Sequence, residues 1–198
     1  MEAEKPRLKD LIHDKPVHER AIEIRSYPLE DGRLIVEGRL KDDQLTQGYR
    51  WDGEHRPAGT VHLICVRIMV GEWPLKILDA EAEMEQVPHE LCPTTRESVR
   101  KIIGVTIAAG FSNEVRRRLG GIRGCAHMTF LVMAMGPAAI HGYWTMKSKT
   151  RRPLPKSLEE FSGLSTLMNS CTLWRKEGPM IEYIKKALEE EKLRKNKR

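Results

Sequence analysis

The chain is poor in aromatics, at 6% of its 198 residues, and has only four cysteines: Cys65, Cys92, Cys125 and Cys171. Cysteines so few and so scattered exclude a disulfide scaffold, and a chain of this length buries a core without one. Aliphatic and sulfur-bearing side chains must then fill most of that core. No run approaches the roughly 18–20 consecutive apolar residues that a membrane helix needs. The opening Met1-Glu2-Ala3-Glu4-Lys5-Pro6-Arg7 has no apolar stretch behind it, so no secretory leader is expected. Free thiols in a reducing cytoplasm are the matching expectation. Also missing are a Walker loop, a GxGxxG after a strand, GxSxG, HExxH and any CxxC pair, so no standard nucleotide, serine-hydrolase or zinc-protease motif applies.

The charge that is present is unevenly placed. The formal net charge is +6, and residues 185–198 hold seven basic residues against three acidic ones, leaving +4 there and +2 for the rest of the chain. A basic tail on a nearly neutral body is weak support for nucleic-acid binding, and nucleic acid is not the expected partner. An oligomer is compatible with the composition.

Residues 1–19 are polar and aperiodic and read as an arm, 20–184 as one domain, and 185–198 as a basic helix end. Within 21–84 the alternation of strands dominates. Ile22 and Ile24, a turn at Asp31-Gly32, then Leu34, Val36 and Leu40 predict a hairpin. Residues 43–60, with Gly48, Gly53, Pro57 and Gly59, read as a loop. Val61–Val70 is the clearest strand, with His62, Ile64, Val66, Ile68 and Val70 on one face, and Lys76–Met84 returns beside it.

Helical patterns follow. Thr94 and Glu97 have capping-box spacing for a helix ending near Ile103, and Ser112 is placed to cap a short one to Arg118. An apolar helix is expected from Cys125 to Ile140, kinked or broken at Gly136-Pro137. Ser157 with Glu160 marks another, running to about Cys171, and Pro179 opens a last amphipathic helix with Ile181, Ile184 and Leu188. Strands first and helices after imply an α+β fold, an antiparallel sheet of about four strands with about five helices on one face.

Chemistry concentrates at Gly124-Cys125-Ala126-His127. Cys125 stands where a helix begins, and backbone N–H groups there stabilise a thiolate, the form that binds metal or attacks an electrophile. With Cys125 in the cap, His127 can converge on the same ion. Cys92 also precedes a helix start, Cys171 lies near a helix end, and His62 opens the long strand as an outer candidate. Cys65, mid-strand among aliphatics, reads as core.

The string Arg118-Leu119-Gly120-Gly121-Ile122-Arg123-Gly124-Cys125-Ala126-His127 resembles the signature of the domain of unknown function numbered 2889. His62, Asp79-Ala80-Glu81-Ala82, Pro88 to Cys92, Gly104 to Phe111 and Cys171 with Trp174 extend the likeness over residues 20–175, with Ala126 standing where threonine is usual. The family implies weight for these residues and no activity. A looser, fold-level resemblance is to iron–sulfur scaffold proteins of the NifU and IscU type. Three readings remain open. In the first, Cys92, Cys125, His127 and Cys171 bind zinc or an iron–sulfur cluster. In the second, Cys125 is the nucleophile of an enzyme with His127 or His62 as base. The third is a non-catalytic interaction module using the basic tail and the 43–60 loop.

Overall fold

The computed structural model describes residues 5–151, 153–161 and 163–196. Its contacts divide the chain into two compact units, Met1–Tyr143 and Trp144–Arg198. The first is built on a four-stranded antiparallel sheet of β1 (His18–Pro28), β2 (Leu34–Gln44), β5 (Gly59–Gly71) and β6 (Lys76–Gln86), side by side in chain order. Between β2 and β5 lies a two-stranded hairpin of β3 (Gly48–Tyr49) and β4 (His55–Arg56), inside the stretch expected to be a loop. The α+β class and the four strands agree with the alternation in the sequence. The first turn is made by Leu29–Arg33, where Gly32 takes φ +83°.

Alternation gives the sheet two unlike faces. Leu34, Val36 and Leu40 of β2 lie opposite Val70, Ile68 and Ile64 of β5, and all six are buried. The other face is a charged ladder in which Arg67 bonds to Glu37 and Glu83, both at 2.7 Å, and to Glu81 at 3.3 Å. Cys65 lies on that face, yet it is buried, and burial pushes its thiol up to about 11. It is therefore a packed thiol, covered on the charged face and not from the helix side.

Helices cover the apolar face. Helix α2 (Ala126–Ser148) runs without interruption through Pro137, so the expected break at Gly136-Pro137 does not occur. Its Leu131 and Met135 lie so close to Gly38 of β2 that an added Cβ there would meet them at 3.0 and 2.8 Å. Gly136 makes room for the ring of Phe111, the first residue of α1 (Phe111–Leu119). Helix α1 is entered through Gly110 at φ +87°, not through a Ser112 cap.

Cys92–Ile102 is a 3-10 helix where an α-helix with a capping box was expected. Thr94, Thr95 and Ser98 spend their hydroxyls on the carbonyls three residues back, of Leu91, Cys92 and Thr95, so Thr94 does not serve as a cap. The chain then returns along β6, where Ile77 and Ile107 donate backbone bonds to Val105 and Leu75.

In the second unit the long helix expected over 158–171 is reduced to α3 (Leu164–Leu167) and a 3-10 turn at Thr172–Trp174. Gly163 enters α3 at φ +94°, with Trp144 packed against it. Helix α4 (Pro179–Asn196) begins at Pro179 as expected and buries Ile181, Ile184 and Leu188. The tail's final residues Lys197 and Arg198, residues Arg152 and Ser162, and residues 1–4 of the arm lie outside the described residues. No helix among the described residues is long and apolar enough to cross a membrane.

Candidate metal centre

The buried alternation of β2 does not stop at Leu40. Two residues on it places Asp42 on the same face, with its side chain only 4% exposed. Register then sets its neighbours: Arg20 of β1 lies directly opposite on one side and His62 of β5 on the other. Side chains directly opposite share a face, so Arg20, Asp42 and His62 form one row across three strands.

Arg20 grips both carboxylate oxygens, Nε to Oδ1 at 2.5 Å and Nη2 to Oδ2 at 2.7 Å. That fork holds the Asp42 carboxyl below its ordinary value of 3.8, with burial opposing it. His18, about half exposed, approaches Oδ1 at 3.6 Å from the start of β1.

The fourth member comes from α2. Thr129 donates its hydroxyl to the carbonyls of Cys125 and Leu119, and the Thr129 amide bonds the Cys125 carbonyl at 3.0 Å, which makes Cys125 the N-cap residue. Gly124 permits this start, since a Cβ on it would meet Leu119 Cδ1 at 2.5 Å, Ser98 Oγ at 2.7 Å and the Leu119 carbonyl at 2.8 Å. So anchored, the first turn lays the His127 ring over His62 with centroids 3.9 Å apart and a 36° tilt.

Donor atoms converge on one point. Asp42 Oδ2 lies 3.1 Å from His62 Nδ1 and 3.5 Å from His127 Nε2, and the three ligand atoms all lie within 4.8 Å of one another. Two donors on a tetrahedral zinc-type ion, with bonds of about 2.0–2.2 Å, are roughly 3.3 Å apart. Despite its distance from Oδ2, His62 Nδ1 is buried and has no hydrogen-bond partner, so the ring nitrogen is not aligned as a donor to the carboxylate.

Burial pushes both imidazoles below their ordinary value of 6.5. For His62 this outweighs the attraction of Asp42, and Arg56 adds a further push; for His127 the neighbouring His62 adds to it. Neutral imidazole is the ligating form. On the far side of the ring, His127 Nδ1 lies 3.8 Å from Cys125 Sγ.

Of the residues singled out in the sequence, His62, His127 and Cys125 are brought together. Cys92 heads the 3-10 helix, half-buried, and Cys171 is exposed in the second unit. Among the described residues, the close group of donors contains neither of them. Asp42 and Arg20 escaped the sequence reading. Extending the β2 alternation by one step, to a carboxylate in buried phase facing a histidine in buried phase, would have found Asp42.

Searches of curated proteins and of solved structures return no match for the chain, and nothing in them relates it to the iron–sulfur scaffold proteins. The sequence profile described as "Protein of unknown function (DUF2889)" matches residues 18–141, from the histidine that opens β1 to the body of α2. The match takes in every residue of the site, from His18 to His127, and the chain therefore belongs to the DUF2889 family.

Proposed function

We propose that the protein binds one divalent transition-metal ion, zinc or ferrous iron, through His62 Nδ1, His127 Nε2 and Asp42 Oδ2. The observation that carries this reading is the spacing of the three donors about a buried ring nitrogen with no hydrogen-bond partner. Two imidazoles and a carboxylate suit zinc or non-haem iron, whereas an iron–sulfur cluster would call for several thiolates. Arg20 cancels the charge of Asp42, so magnesium and calcium, which depend on anionic oxygen, gain little here. Arg20 orients the carboxylate, and Cys125 accepts the Nδ1–H of His127, the outer contacts such a site needs. Three protein ligands leave a coordination position for water or substrate, the pattern of a catalytic centre.

The test is metal per chain after loading and dialysis. About one zinc is expected for the parent and for Cys125→Ser, and much less for His62→Ala, His127→Ala and Asp42→Ala. Equal metal content in all five sinks the proposal.

A second reading rests on the same ring. Cys125 Sγ, His127 and Asp42 stand in series, with gaps of 3.8 Å and 3.5 Å, as in a nucleophile, base and orienting carboxylate. It requires the opposite tautomer, with His127 protonated on Nε2 and receiving the thiol proton on Nδ1. A metal-free parent with fast alkylation of Cys125, slowed by His127→Ala, would favour it over the metal.

A further inference from the structure

Beside the centre, the β3–β4 hairpin and the ends of β5 and β6 enclose a cavity of about 330 Å3. Three basic side chains, Arg50, His55 and Arg56, line it, and no aspartate or glutamate does. Arg50 reaches Glu54 and Asp52 only at 3.5 and 3.8 Å, and among the described residues Arg56 makes no ion pair. A half-buried guanidinium without a carboxylate is ready to receive an anion in a two-point fork.

The lining also runs, in sequence, up to the residue before His62. Thr60 and Val61 line the cavity, and His62 is the next residue of β5, so Thr60 and His62 are about 7 Å apart along the strand. Thr60 donates its hydroxyl to Asp43, the neighbour of Asp42, which joins the cavity wall to the strand that carries the carboxylate. The volume is at the small end for ligand sites and suits a compact metabolite, not a polymer.

We infer that this pocket holds the anionic group, carboxylate or phosphate, of a small-molecule ligand on Arg56 with Arg50 and His55, and turns the rest of that ligand toward His62. The anion pocket stands by itself; the statement that the ligand reaches an ion at His62 rests on the metal reading.

Titration calorimetry of malonate and of inorganic phosphate into the full chain tests it, with chelator-stripped and with zinc-loaded protein. Saturable binding of at least one anion is expected, weakened about tenfold or more by Arg56→Ala and unchanged by Arg96→Ala on the 3-10 helix. Arg50→Ala, at an exposed position, supplies a second weakened variant should Arg56→Ala fail to fold. Tighter phosphate assigns a phosphate ester, and tighter malonate a carboxylate. Tighter binding after zinc loading supports a ligand that reaches the ion. Anion binding in a chain that takes up no zinc upholds the pocket and removes the metal reading. No saturable heat with either anion, or equal binding by the parent and both pocket variants, overturns the pocket whatever the zinc result.

Discussion

At Asp42 one carboxylate meets a guanidinium and two imidazoles from three other segments of the chain. Burial keeps both rings neutral, and this has a pH consequence with a definite sign. Each folded-state value lies below the ordinary 6.5, so the unfolded chain binds protons first as pH falls. The stability from these rings is complete above 6.5 and is lost as pH drops through the folded values. Asp42, also held low, loses its share only below 3.8. The unfolding midpoint of chelator-treated protein should therefore fall between pH 7.5 and pH 5, and His62→Ala with His127→Ala should flatten that slope. A slope unchanged in the double variant would refute the assignment.

The thiols divide in the same way. Cys65, raised to about 11 by burial, should resist alkylation in the folded protein, and Cys65→Ser should cost about 1–3 kcal/mol from burying a hydroxyl. Cys125, part-buried beside His127, should alkylate first of the two, and bound zinc should change its rate. Rapid labelling of Cys65 before Cys125 would contradict this.

Among the elements, the strands were legible because alternation is read two residues at a time, and Leu34 to Leu40 and His62 to Val70 hold their phase without a break. Helix starts were less legible. Thr94 and Glu97 have the spacing of a cap, but spacing cannot say whether a threonine hydroxyl turns forward to an amide or back to a carbonyl. Here it turns back, and a 3-10 helix results. The cysteine–histidine string was visible as a motif, whereas its carboxylate partner lies across the sheet and became visible only through strand register. What fixes the string in place is room at Gly124. Gly124→Ala should drive a methyl into Leu119, Ser98 and a backbone carbonyl, shift the first turn of α2, and cost about 1–3 kcal/mol. It should also lower metal uptake, which Gly32→Ala, strained by its positive φ but with open space around it, should leave intact. Full metal binding by Gly124→Ala would mean the turn tolerates the shift.

On the scale of the molecule, the family match ends at residue 141 and the first compact unit at Tyr143, so the matched stretch and the sheet-bearing unit end nearly together, the match starting at residue 18 where β1 begins. The second unit carries its own apolar stripe of Ile181, Ile184 and Leu188, after which residues 189–194 of α4 are mostly exposed. Truncation after Leu188 should leave the unfolding midpoint within a few degrees of the parent, since surface residues beyond the stripe contribute little. It should leave zinc content untouched as well. A truncated chain that aggregates or loses its metal would show that the last two turns of α4 are needed for the fold.

The β3–β4 hairpin occupies the connection between two strands that are already paired along their length, Leu34–Gln44 with Gly59–Val70. Its residues can therefore be lengthened, shortened or exchanged without altering which residue of β2 faces which of β5. On the metal and pocket readings proposed above, reactivity and ligand choice would be written in separable stretches of the chain. On those readings the three basic side chains of the pocket belong to the hairpin, and a graft of Gln47–Ala58 between family members should carry the ligand preference with it while His62 and His127 stay where they are.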